Sequence, residues 1–137
     1  MQFASVQWIV ARPDLPAFTD EEAAALARAT VKLFRAWGLS DTEARTLLGD
    51  MAQRTWARRK AGDIASIDRD LRARMAILIG IHKALRYFFT DPGRGYAWIR
   101  KPNEALGGRS ALDVMMRGEI IDLIDLRSYL DAERGAW

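Results

Sequence analysis

The chain contains no cysteine and only one histidine, His82. Without thiols there is neither a disulfide framework nor a thiolate metal site. A lone imidazole with no clustered carboxylates is a poor metal or catalytic centre, so His82 reads as a packed or partly exposed structural residue. The glycine pair Gly107-Gly108 alone is no phosphate loop. No catalytic residue, metal ligand or cofactor is therefore assigned, and an enzyme is not expected. Long apolar runs are missing as well. Each run is cut short by Arg, Lys or Asp, well below the roughly 20 residues of a membrane span. No charged-then-apolar segment opens the chain, and the expectation is a cytoplasmic protein that does not engage membranes.

What is present is the balance of a soluble globular protein: 137 residues, 50% apolar and 28% charged, enough for one domain or two small ones. The net charge of +3 is unevenly spread. Residues 1–90 carry 14 Lys and Arg against 10 Asp and Glu, whereas residues 91–137 carry 7 against 8. The excess concentrates between Met51 and Gly62, where Arg54, Arg58, Arg59 and Lys60 face no acid. One half is thus suited to a polyanion and the other is not.

Helical periodicity dominates the chain, and the fold class expected is all-α. Residues 1–19 form an arm in which Phe3, Val6, Trp8 and Ile9 follow no clean period before Pro13 and Pro16 interrupt. Thr19 and Glu22 form a capping box ahead of a helix over Asp20–Trp37, which Gly38 closes. Ser40 and Glu43 repeat that signature for a short helix running to Gly49, with Ala44, Leu47 and Leu48 inward. After a turn at Asp50, Met51 and Ala52, a basic helix spans Gln53–Lys60. In it Thr55 and Trp56 are expected inward, with Gln53, Arg54, Arg58 and Arg59 outward. Two short helices about a glycine turn, the second basic, make a helix-turn-helix, although the turn is one residue longer than the usual template. Arginine can bond guanine edges bidentately and glutamine adenine edges, while neighbouring Arg and Lys neutralise phosphates. Gln53, Arg54, Thr55, Arg58, Arg59 and Lys60 are the DNA-binding candidates; the alternative is a solvated basic face. A long helix from about Ile67 to Phe89 closes this bundle, with Gly80 inside it signalling close packing or a local break. Asp91-Pro92-Gly93-Arg94-Gly95 reads as a linker, which places a helix-turn-helix domain at 20–90 and a second helical domain at 91–137. The last helix begins near Glu119 with Ile120, Leu123, Ile124, Arg127 and Leu130 at helical spacing.

Trp98 to Asp113 does not look like helix filler. Pro102-Asn103 and Gly107-Gly108 break the backbone twice within seven positions, so two helical pieces meet at a corner. Ser110 with Asp113 then caps a helix starting at about Ala111, in which Leu112, Met115 and Met116 face the core until Gly118 ends it. The run Trp98-Ile99-Arg100-Lys101-Pro102-Asn103-Glu104-Ala105-Leu106-Gly107-Gly108-Arg109-Ser110-Ala111-Leu112-Asp113, followed by Gly118 and an acidic amphipathic helix, resembles the C-terminal toxin-binding domain of Xre/MbcA/ParS-type antitoxins. Ala36 to Ser40, Leu47-Leu48-Gly49, Arg54-Thr55-Trp56 and Lys60-Ala61-Gly62 resemble the helix-turn-helix half of that family. Two departures stand out: the family commonly has proline where this chain has Ala111, and often another near Glu104 and Ala105.

The resemblance implies an antitoxin of a RES–Xre type II toxin–antitoxin module. Such a protein would bind and silence a RES-domain toxin that consumes or transfers ADP-ribose from NAD⁺. It would repress its own operon by binding operator DNA, as a homodimer within a toxin–antitoxin hetero-oligomer. It further implies toxin-binding roles for Trp98, Asn103, Gly107, Gly108, Arg109, Arg127, Tyr129, Arg134 and Trp137, with Pro102, Leu106, Leu112 and Asp113 shaping the same domain. Asn103 and Arg109 could equally hold the turn, and Trp137 could bury against its own domain. A plain helix-turn-helix regulator with a C-terminal dimerisation domain is the alternative function.

Overall fold

A computed structural model describes residues 19–135; residues 1–18 of the N-terminal arm and residues 136–137, Trp137 among them, fall outside the described residues. Among the described residues seven α-helices follow one another, with one 3-10 turn at Glu104–Leu106, and the only β-type pairing is an isolated bridge between Asn103 and Arg109. The helices are α1 (Asp20–Ala36), α2 (Asp41–Leu47), α3 (Gln53–Lys60), α4 (Arg69–Phe88), α5 (Pro92–Trp98), α6 (Ala111–Met115) and α7 (Ile120–Gly135).

Local chemistry sets most of these ends. Thr19 with Glu22, Ser40 with Glu43 and Ser110 with Asp113 all form complete capping boxes, each satisfying orphan N–H groups at a helix start. The long helix starts at Arg69 rather than Ile67, because Asp68 is the N-cap and accepts the Leu71 N–H at 2.8 Å. The expected linker at Asp91 to Gly95 is instead the first turn of α5. Asp91 accepts the Gly93 N–H, and Pro92 occupies the first helical position, where a missing donor costs nothing.

The central element is α4, which packs on α1 along one side and on α7 along another. Helices α4 and α7 run parallel: the Arg127 guanidinium lies over Gly80 and that of Arg134 over Tyr87, the same seven-residue step on both. A Cβ at Gly80 would come within 2.5 Å of that guanidinium, so this glycine marks close packing in an unbroken helix. Buried Ala27, Phe34, Leu47, Trp56, Leu78, Ile81, Ile99, Met115, Leu126 and Leu130 belong to a single hydrophobic cluster, so the first and last helices share one core.

Two faces differ from expectation. On α7 the inward residues are Asp122, Leu123, Leu126 and Leu130, while Ile124 is 39% exposed and Ile121 55%. Both the 120/123/124/127 and the 123/126/130 sets have helical spacing, and contact with α4 selects the second. On α3, Arg59 is buried, with 7% exposure. It follows Trp56 by three residues and therefore shares its inward face, where its aliphatic stem packs.

Candidate functional site

The α2–α3 pair is held by side chains that seal its turn. Gly49 and Asp50 both take left-handed backbone, φ +78° and +60°, which allows the chain to reverse between Leu47 and Gln53. Arg45 Nε donates to the Met51 carbonyl at 2.7 Å, and Arg74 of α4 donates to that of Leu47 at 3.3 Å. Trp56 anchors α3, its ring 5.9 Å from that of Phe34 and its Nε1–H donating to Asp41 Oδ1 at 2.8 Å.

This frame sorts the six DNA-binding candidates. Gln53, Arg54 and Arg58 stand on the exposed face of α3. Thr55 is half-buried, Arg59 points inward and Lys60 is tied to Asp41 at 2.9 Å. The outward guanidinium groups are therefore Arg54 and Arg58, which corrects the outward placement of Arg59.

The corner is a closed loop. The Asn103 N–H donates to the Arg109 carbonyl, the Gly108 N–H donates to the Asn103 carbonyl, and Asn103 Oδ1 accepts the Ala105 N–H at 2.9 Å. Gly107 and Gly108 sit at φ +69° and +81°, a conformation that residues with a Cβ rarely adopt. Asn103 thus holds the turn with its side chain. A bond of 2.7 Å from the Leu112 N–H to the Ile99 carbonyl fixes α6 against the end of α5. Ala111 begins α6 at the expected position without proline.

Around this corner the toxin-binding candidates fall into three groups. Trp98, Asn103 and Tyr129 converge on one groove of about 190 Å³, walled also by Leu85, Phe88, Phe89, Leu130 and Glu133. Gly107, Gly108 and Arg109 form the exposed tip of the loop. Arg127 and Arg134 border the other edge of the buried stripe of α7, Arg127 pairing with Asp131 at 3.6 Å and Arg134 lying 4.6 Å from the centre of the Tyr87 ring. Trp137 lies outside the described residues.

A connection that the sequence did not disclose joins the two halves. Arg100, directly after α5, donates to the Gly38 carbonyl at 3.0 Å and pairs with Glu43 at 3.2 Å. Glu43 also caps α2, so one carboxylate serves the helix-turn-helix and the corner together. Only the position of Arg100 before the break could have hinted at this.

The cap carboxylates are electrostatically tuned. Hydrogen bonds from Lys60 and Trp56 hold Asp41 below the ordinary 3.8. Burial alone would raise Glu43, but the Ser40 N–H and Arg100 outweigh it and leave it below 4.5. The Ser110 N–H, then its hydroxyl, lower Asp113. A carboxylate depressed by folding stabilises the protein fully above its ordinary value and loses that contribution as pH falls through its lower folded value. His82, stacked on Tyr96, is lowered from 6.5 by burial and then by Arg86 and Lys83, so acid also works against the fold there. The urea midpoint is expected to hold above pH 7, to soften below 6.5 and to fall modestly further below the ordinary carboxylate values, where the exposed carboxylates lose their small contributions. A midpoint flat to pH 3 would contradict this.

The sequence behind this geometry matches two models from one class of antitoxins. Residues 17–80 match the antitoxin Xre-like helix-turn-helix domain, and residues 84–135 match the antitoxin Xre/MbcA/ParS C-terminal toxin-binding domain. The chain belongs to the Xre/MbcA/ParS antitoxin family. The two matched segments meet inside α4 rather than after it, in keeping with the shared core. An uncharacterized protein of Sinorhizobium fredii, y4oB, is 40% identical over 100 residues, 72% of this chain and 76% of its own length. As an antitoxin of this family the chain pairs a DNA-binding helix-turn-helix with a toxin-binding domain, and the family is not an enzyme class. Among the described residues no helix is long and apolar enough to cross a membrane.

Proposed function

We propose that this antitoxin silences a RES-class toxin, one that consumes or transfers ADP-ribose from NAD⁺, and represses its own operon in the cytoplasm. It does so as a homodimer within a toxin–antitoxin hetero-oligomer. The observation that carries this reading is the closed Asn103–Arg109 corner within the segment matching the toxin-binding domain. By fixing α6 on α5, it sets where α7 and its exposed Arg134 project. The choice of the RES class rests on the resemblance of the Trp98–Asp113 motif. Arg and aromatic residues are favoured interface anchors, which supports Arg109, Arg127, Tyr129, Arg134 and Trp137 as toxin contacts.

Arg109 and Arg134 are exposed, so reversing their charge leaves the fold in place. Arg109→Glu and Arg134→Glu are each expected to weaken the toxin complex at least about tenfold, or ~1.4 kcal/mol. Co-purification with a co-expressed RES-class toxin checks this; full retention by both variants would place the interface elsewhere.

For the operator, Arg54→Ala and Arg58→Ala should each lower the slope of log affinity against log salt by about 1, as phosphate contacts do. Titrations at several salt concentrations check this, and unchanged slopes would place those arginines off the DNA.

A further inference from the structure

Helix α7 carries apolar residues on two faces, and only one of them is covered. Leu123, Leu126 and Leu130 line the inner face and belong to the common core. On the opposite face Ile121 and Ile124 stand 55% and 39% exposed, one turn apart. They are two of the three large apolar side chains exposed among the described residues; the third, Tyr87, has the Arg134 guanidinium over its ring. Residues three, four and seven apart share a helix face. Ser128, Ala132 and Gly135, all exposed, therefore continue the line from Ile121 and Ile124 down the helix. This uncharged stripe runs along nearly the whole 16-residue helix, ~24 Å. Tyr129 turns to the groove beside Trp98 and Arg134 to Tyr87, so the stripe lies between those two contacts and belongs to neither. A helix with an apolar second face ordinarily carries a second partner there.

We propose that this stripe is the seam between two copies of the chain, two α7 helices packed antiparallel about a two-fold axis at Ser128. The seam presupposes the homodimer proposed above and gives it a surface. A two-fold contact lays one patch onto itself, so the patch must be self-complementary. Residues equally far from Ser128 oppose each other: Ile124 of each copy meets Ala132 of the other, and Ile121 meets Gly135. Large side chains thus face small ones at both ends, and the serines meet at the centre, where the two backbones can come close. A parallel pairing would instead set isoleucine on isoleucine and glycine on glycine, leaving a gap at the C-terminal end. The edge charges agree. Arg127 and Asp131 border the stripe as a loose pair at 3.6 Å, both about half exposed, and the antiparallel register brings Arg127 of each copy beside Asp131 of the other. Asp125 lies on the opposite edge from Asp131, so this register keeps the two acids apart. Such an interface is of the small, weak class. It is reinforced when two helix-turn-helix units engage two half-sites on one DNA.

The test is sedimentation equilibrium of the full chain, without toxin or DNA, for wild type and Ile124→Glu, with cross-linking of Ser128→Cys beside it. The expected result is a wild-type dimer whose dissociation constant rises at least about tenfold in Ile124→Glu. The thermal melt should stay unchanged, because the residue is exposed. The chain has no cysteine, so Ser128→Cys places a single thiol at the two-fold point. Diamide is expected to link that variant into a disulfide dimer and to leave Glu104→Cys, at the exposed corner, unlinked. The cross-link reads the seam even if Ile124→Glu folds poorly. Wild type that stays monomeric at every concentration would overturn the seam and the homodimer together. A wild-type dimer with Ile124→Glu equally dimeric, or with Ser128→Cys no more readily linked than Glu104→Cys, would overturn the seam and leave the homodimer standing. An Ile124→Glu variant that remains dimeric yet loses a co-expressed RES-class toxin would give this face to the toxin instead.

Discussion

Leu126→Asp is expected to abolish operator binding as well as toxin binding, although the residue lies far along the sequence from the helix-turn-helix. Leu126 is 1% exposed and belongs to the cluster that also holds Leu78 and Ile81 of α4 and Phe34 of α1. The substitution removes an apolar contact and buries an unpaired carboxylate, a combination that costs more than about 4 kcal/mol. The lost packing alone costs about 3–5 kcal/mol and the buried carboxylate several more, which together reach the total stability of about 5–15 kcal/mol for a domain this size and leave little folded population. Circular dichroism melts and operator titrations check both consequences. A variant that lost toxin binding yet kept a cooperative melt and native operator affinity would show that the halves fold independently. For the same reason, deleting α7 is a poor probe of the interface, because the deletion also strips α4 of Leu123, Leu126 and Leu130.

Trp56→Ala is expected to destabilise the chain by about 3–5 kcal/mol, the range for emptying a buried aromatic site. It should also weaken operator binding beyond what the remaining folded fraction explains. Trp56 is the anchor by which α3 is pinned: 4% exposed, against Phe34, and bonded through Nε1 to Asp41. Asp41 in turn holds Lys60, so the loss frees both ends of that small network. Trp56→Phe keeps most of the packing and loses the Asp41 bond, and it should cost about 1–2 kcal/mol. Denaturation midpoints and operator affinities for the pair separate packing from the hydrogen bond. A midpoint shift under ~1 kcal/mol for the alanine variant would mean that α3 is held some other way.

The local chemistry of this fold was legible from sequence because its signals are short-range. Thr19, Ser40 and Ser110 with their acidic partners mark helix starts through bonds three residues long, and Gly107-Gly108 marks a turn by backbone geometry alone. The choice of face was less legible. Arg59 and Ile124 carry conventional surface and core side chains respectively, yet packing against neighbouring helices turned the first in and the second out. Asp91 to Gly95 read as a linker because proline and two glycines usually are one; a single aspartate cap made it the start of α5. The Arg100–Glu43 pair spans 57 residues, and nothing local encodes such a contact. At the candidate site, Trp98, Asn103 and Tyr129 were each visible by type, whereas their convergence on one groove depends on α5 and α7 both packing on α4.

Family membership settles the class of the protein, and the identity of its toxin is the point on which function turns. The most direct measurement is NAD⁺ consumption by a purified RES-class toxin that co-purifies with this chain, with and without a stoichiometric amount of the folded antitoxin. Consumption that stops at stoichiometric antitoxin is the expected result. Consumption continuing at the rate of toxin alone, with an antitoxin that still binds operator DNA, would contradict it and leave the chain a DNA-binding regulator without this partner.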